Sequence, residues 1–143
     1  MSSFIDLSVI YGSDDDRASV LRSGIDGKLQ TESQENLPFN TKRLPNLNLL
    51  GGPREKLLLS GDPRVNVQPG LICLHTIWAR EHNRICDELK TLQALRDYDD
   101  ETLFQHARSI TRAKWQAVVW YEFLPTVVGE ERFKQIPLYN GKT

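Results

Sequence analysis

The chain has 143 residues, with 18 Lys and Arg against 19 Asp and Glu, a formal net charge of −1 with its three His neutral. That length closes at most one modest core, and an apolar share of 39% reaches ordinary globular usage once glycine is added, which excludes wholesale disorder. No apolar run approaches the ~20 residues of a membrane span, and the balanced charge gives no electrostatic reason to expect nucleic acid or anionic lipid as a partner.

No basic-then-apolar leader precedes the first turn, so no export address is legible. The opening residues Ser2, Phe4 (through its carbonyl), Asp6 and Ser8 place oxygens at alternate positions. A hard cation such as Ca²⁺ takes six to eight oxygens at about 2.4 Å. An extended Ser2–Ser8 segment spans roughly 20 Å, so it has to curl to surround an ion. Only Asp6 brings a charge, and a further carboxylate has to come from elsewhere. The plain alternative is an ordinary N-terminal strand or turn.

Turn signals recur every few residues from Met1 to about Gly70: Tyr11-Gly12-Ser13-Asp14, Ser23-Gly24, Asp26-Gly27, Gly51-Gly52-Pro53 and Gly61-Asp62-Pro63. One short helix is expected over 14–23, capped by Ser13 or Asp14 and stopped by Gly24. The polar run from Gln30 to Asn48 has little periodicity, and a loop that long is unusual in a compact domain unless it wraps around something. Arg64 follows in Gly61-Asp62-Pro63-Arg64-Val65-Asn66. A loop arginine ahead of a helix is a surface residue or a fixed cation for charge that develops on a substrate oxygen.

From Pro69 the pattern changes. Leu71, Leu74, His75, Trp78, His82, Ile85, Leu89 and Leu92 recur at three- and four-residue steps, one face of a helix that ends near Leu95. Pro69 suits its first turn. A second helix begins after Asp99-Asp100, with Leu103, Ala107, Ile110, Lys114, Ala117 and Tyr121 in one stripe, widened by Phe104, Ala113, Val118 and Trp120, and ends at Pro125. A short helix over 129–135 follows, closed by Pro137. Each long helix runs about 24 residues, or ~36 Å, and their apolar faces are too broad for one another alone. The expected architecture is mostly α: two long helices behind a coil-rich N-terminal arm, like a piece of a larger helical protein.

Cys73 and Cys86 lie about 20 Å apart along the first long helix, too far to bridge, and read as small core thiols. His75 and His82, two turns apart, are too distant to share a metal ion and read as hydrogen-bonded core or boundary residues. Arg80, Glu81, Arg84 and Glu88 have the spacings of a solvated, ion-paired face. No Ser occupies a glycine-flanked elbow, neither Cys has a His on its own turn, and Gly51-Gly52 lacks the Lys-Ser/Thr of a phosphate loop.

Together these segments resemble the animal-type haem peroxidase superfamily. Three blocks carry the resemblance in family order: Ser2 to Ser13, similar to the calcium-loop signature ending in Tyr-Gly; Gly61 to Leu71, similar to the distal-arginine stretch; and His75-Thr76-Ile77-Trp78-Ala79-Arg80-Glu81-His82-Asn83-Arg84, similar to the helix signature. Asp100 to Arg108 and Tyr121 to Pro125 also resemble family text. The resemblance implies a partial haem peroxidase domain over 1–143, with the arm (1–68) carrying the calcium and arginine segments and 69–143 forming the helical segment of a larger all-α fold.

By the same resemblance, Arg64 is the distal arginine, stabilising negative charge as the peroxide O–O bond breaks, and Ser2, Phe4, Asp6 and Ser8 are calcium-ligand positions. His82 belongs to the helix signature and is structural, not the iron ligand. The positions where family members esterify haem or link it through a sulfonium are Val67 and Gln68 here, so haem is held non-covalently at this edge. The distal and proximal histidines of the family have no counterpart in the chain. The resemblance therefore implies an incomplete piece of an enzyme that uses hydrogen peroxide to oxidise small organic or halide donors, inactive alone and partnered by the remainder of its domain. It also implies a secreted or extracellular setting. Two rivals stand beside this reading: the fatty-acid dioxygenase branch of the same superfamily, and a degenerate, non-catalytic helical interaction module.

Overall fold

The structure, a computed structural model, describes residues 4–49, 51–92 and 97–136. The arm opens with two short helices, α1 (Ser8–Tyr11) and α2 (Asp15–Leu21). Asp14 caps α2, its carboxylate accepting from the Arg17 N–H. Helix α2 stops at Leu21, not at Gly24. Arg22 turns extended, bridges Leu29 and sends its guanidinium to Asp100 and Glu101. Those ties pull the chain out of the helix before glycine is reached.

The expected wrapping of the polar run is real. Asn40, fully buried, exchanges hydrogen bonds with Leu44, and Arg17, also buried, donates to the Asn46 side chain and to the Pro45 and Ser60 carbonyls. Such a polar interior is tolerable because the buried donors and acceptors find partners. Around it lie Leu7, Ile10, Tyr11, Leu21, Leu29, Leu37, Leu59 and Val65, closed by Ala79 and Phe104.

Helix α3 spans Pro69–Thr91 with Pro69 in its first turn. It ends short of the expected boundary, and Leu95 lies outside the described residues. Its buried line is His75, Ala79, His82, Asn83, Ile85, Cys86 and Leu89, while Leu74 and Leu92 of the expected face are exposed. The arm and the next helix cover the side bearing Ala79 and Cys86, which rotates the buried face away from Leu74. Helix α4, Asp100–Val118, is capped by Asp99, whose carboxylate accepts from the Thr102 N–H. It buries Leu103, Phe104, Ala107 and Thr111 and leaves Ile110 and Tyr121 of the expected stripe exposed. The two helices pack through Ile85, Cys86 and Leu89 against Leu103 and Ala107, and through Trp78 edge-on to Trp115 with ring centroids 5.2 Å apart.

Pro125 does not end the second long helix. The chain widens into a π-turn over Val119–Phe123, with the Leu124 N–H reaching back to Val119 O, and continues as α5 (Leu124–Val128) with Pro125 in its first turn. A π-turn changes the hydrogen-bond register, so a residue without an N–H falls where the helix does not need one. Helix α6, Glu130–Phe133, follows Gly129, and Pro137 lies outside the described residues. Among the described residues only two isolated antiparallel bridges occur, Arg22–Leu29 and Phe39–Leu58, so the architecture is all-α with a coil-rich arm. No described helix is long and apolar enough to cross a membrane.

Candidate functional site

The three sequence blocks meet in space. Tyr11, at the end of the first, places its hydroxyl 2.9 Å from His82 Nδ1 in the third, and His82 Nε2 lies 2.9 Å from the Gly27 carbonyl. A carbonyl only accepts, so Nε2 carries the hydrogen and Nδ1 accepts from the Tyr11 O–H. Phe104 completes the cluster, edge-on to both rings at 5.8 Å from Tyr11 and 5.2 Å from His82. Burial dominates here: it pushes the His82 imidazole down to about 4 and the Tyr11 phenol up. With both ring nitrogens engaged, His82 is a structural hub, in keeping with its sequence-level reading.

The second block is held against the first. Gly61 approaches α1 so closely that an added Cβ would lie 2.2 Å from the Ser8 carbonyl oxygen and 2.4 Å from the Gly12 nitrogen. The Asp62 N–H donates to Val9 O at 2.9 Å, and Ser60 Oγ donates to the same oxygen. Asp62, only 4% exposed, turns its carboxylate onto Arg64: Oδ1 accepts from the Arg64 backbone N–H at 2.9 Å and from Nε at 3.0 Å, and Oδ2 accepts from Nη2 at 2.9 Å. Burial alone would raise the Asp62 carboxyl; the Arg64 hydrogen bonds and charge outweigh it and the net direction is down.

Arg64 itself is an outward-facing group, its side chain 58% exposed, and its Nη1 has no hydrogen-bond partner among the described residues. Val67 and Gln68, three and four residues on, are exposed as well, the Val67 N–H donating to the Arg64 carbonyl at 2.9 Å, and the Gln68 amide lies over Gly70 at the start of α3. Behind them His75 is buried, with Nδ1 2.6 Å from Leu71 O and Nε2 without a partner among the described residues. Burial, foremost, lowers its pKa.

Of the oxygen-bearing opening residues, Ser2 lies outside the described residues. The segment curls instead of extending: Leu7 takes left-handed backbone geometry at φ 58° and the chain enters α1 at Ser8. Asp6 Oδ1 accepts the Ser8 N–H at 2.9 Å, and both line a cleft that also holds Asp14, Asp15 and Glu101. Phe4 is exposed and lines a neighbouring cleft with Asp6 and Ser8. Among the described residues no three His, Cys, Asp or Glu side chains are gathered for a metal.

Sequence reasoning missed Asp62 and Gly27 as site supports. The signal for Asp62 was its place two residues before Arg64, where an aspartate commonly accepts from the backbone. Gly27 was legible as a turn, but its contact with Leu103 and Phe104 of α4 was not. Of the two cysteines, Cys86 is a buried thiol, raised by burial to about 12, whereas Cys73 is exposed, a correction to the expectation of two core thiols; Cys86 Sγ also lies 3.5 Å from His82 Nε2 one turn away, against the expectation that neither cysteine neighbours a histidine. The Glu81–Arg84 and Arg84–Glu88 pairs both form.

The sequence profile described as animal haem peroxidase matches residues 1–142. The chain belongs to the animal haem peroxidase family. Drosophila melanogaster peroxidase is 39% identical over 134 residues, 92% of this chain and 19% of that protein. The structure of peroxidase A from Dictyostelium discoideum superposes with a TM-score of 0.80 at 32% identity, covering 87% of this chain and 25% of that one. Fatty acid alpha-dioxygenase from Oryza sativa, solved with palmitic acid, superposes at 0.69 with 27% identity, over 87% of this chain and 18% of that one. The chain spans between 10% and 19% of the first curated relatives it matches.

The family implies haem. The exposed residues Arg64, Val67 and Gln68 offer the chemistry of one wall of such a site: a cation with N–H groups to spare, an apolar side chain and an amide. Nothing in that set is an iron ligand, so these three residues fit the edge of the group and not its axial position.

Proposed function

We propose that this chain forms the arginine-bearing wall of the haem site in a peroxidase that uses hydrogen peroxide to oxidise small organic or halide donors. The observation that carries the reading is Arg64: an open guanidinium on a rigid, buried support, beside Val67 and Gln68. Haem, when bound, supplies the iron at which peroxide is reduced. Arg64 supplies a permanent positive charge and an N–H for negative charge developing on the peroxide oxygen; lysine would hold its charge less firmly in place. Neither Val67 nor Gln68 can form an ester or sulfonium bond, so haem is held non-covalently at this edge. Phe4, Asp6 and Ser8, with Ser2, serve as part of a calcium loop whose further carboxylate lies elsewhere. The oxygen-only donor set suits that hard ion, and the three described residues fall short of its usual six to eight ligands. The chain lacks an axial histidine and a distal base and does not turn over alone. Family kinship supports a secreted or extracellular setting.

The dioxygenase reading has the rice enzyme in its favour, and the peroxidase reading is preferred because peroxidase A is nearer in both identity and superposition. The test is Arg64→Ala in the complete haem-loaded protein. The rate constant for reaction with peroxide is expected to fall by about 10²–10³-fold; an unchanged rate constant removes the assigned role.

A further inference from the structure

We propose that Asp62 is the positioning residue for Arg64: it grips the guanidinium through Nε and Nη2 and so presents the remaining edge, Nη1 with the second N–H of Nη2, toward the peroxide. The inference rests on the reading of Arg64 given above and adds the group that aims it.

The geometry is specific on three counts. The carboxylate meets the guanidinium in a two-pronged arrangement, Oδ1 with Nε at 3.0 Å and Oδ2 with Nη2 at 2.9 Å, which fixes the plane of the fork as a single contact does not. Oδ1 also holds the Arg64 backbone N–H, so main chain and side-chain tip are locked by one group. Asp62 is itself immobile: its side chain is 6% exposed against 58% for Arg64, its N–H is tied to Val9 O, and Gly61 before it has no room to shift toward α1. An exposed arginine ordinarily samples many rotamers and loses that freedom only when something holds it. Here a buried carboxylate holds Nε and one N–H of Nη2 and leaves the Nη1 side of the fork outward.

Two measurements separate this proposal from the reading beneath it. In the 143-residue chain, the Arg64 Nε–H is assigned in ¹⁵N NMR by its disappearance in Arg64→Lys, with the exposed Arg54 as reference. Its exchange with water is expected to be at least about tenfold slower than that of Arg54, and to speed up in Asp62→Asn. Exchange at the Arg54 rate overturns the proposal without reference to any activity. In the complete haem-loaded protein, Asp62→Asn is expected to lower the rate constant for peroxide by about 10- to 100-fold with the KM for the donor unchanged. Where the amide variant does not fold, Asp62→Glu keeps the charge and displaces it by one methylene, with the same expectation. If Arg64→Ala slows the peroxide step and neither Asp62 variant does, Asp62 does not position it and the functional reading survives. If Arg64→Ala has no effect, the functional reading falls and this proposal falls with it.

Discussion

Gly61 has no space for a side chain. A methyl group there would stand 2.2 Å from the Ser8 carbonyl oxygen, and both contacting atoms belong to backbone that α1 fixes. Gly61→Ala is therefore expected to destabilise the chain by about 3 kcal/mol or more, read from its denaturation midpoint; a change under about 0.5 kcal/mol would mean that α1 and the arginine loop are not docked as described. His82 gives a pH signature. Its folded value is about 4 against the ordinary 6.5 of an imidazole, so the unfolded chain binds the extra proton between those values. Stability is full above the unfolded value and declines as pH falls toward the folded one, by on the order of 3 kcal/mol. His82→Gln should flatten the slope between pH 6.5 and 4, and equal slopes in both proteins would contradict the buried, neutral imidazole. At this scale the sequence was informative about type and silent about partners. Arg64 stood out because its block resembled a family motif, whereas the Tyr11–His82–Gly27 linkage joins residues up to 71 positions apart, which no local pattern encodes.

Between elements, the arm is fastened to α3 by Asn83. Its Oδ1 accepts from the Leu29 N–H at 2.8 Å and its Nδ2 donates to the Leu29 carbonyl at 3.1 Å, so a side chain completes a strand-like exchange of hydrogen bonds. Asn83→Ala leaves a buried donor and acceptor unpaired, at a cost of about 3 kcal/mol. Amide exchange at Leu29 should accelerate more than exchange in the middle of α4, and equal acceleration would show that the arm does not open separately. Helix starts were the most legible features: Asp14 and Asp99 both cap as their residue types suggest. Helix ends were less so. Arg22 leaves α2 early because of ion pairs to residues far along the chain, and Pro125 is absorbed by a π-turn that its own sequence does not announce. The buried faces were rotated from expectation because periodicity identifies an apolar stripe without saying what covers it. Leu74 and Ile77 on α3, and Tyr121 on the extension of α4, are apolar and exposed.

For the molecule as a whole, the division at Pro69 between a turn-rich arm and a helical remainder was visible in composition alone, and the order of the three blocks pointed to the family that the comparisons identify. Their convergence was not visible: the opening block, the arginine loop and the signature helix touch through Val9, Asp62, Tyr11 and His82, a tertiary arrangement in which each block supports the next. Among the described residues the chain thus holds a charged tip, Arg64, on a well-tied frame, and the proposal gives the iron ligand to other parts of the domain. Titrating the 143-residue chain with haemin, with the Soret band and peroxide-dependent oxidation of a small donor followed together, puts that account to its most direct test. The account predicts neither a one-to-one Soret complex nor turnover, and a stoichiometric complex that oxidises the donor would contradict it.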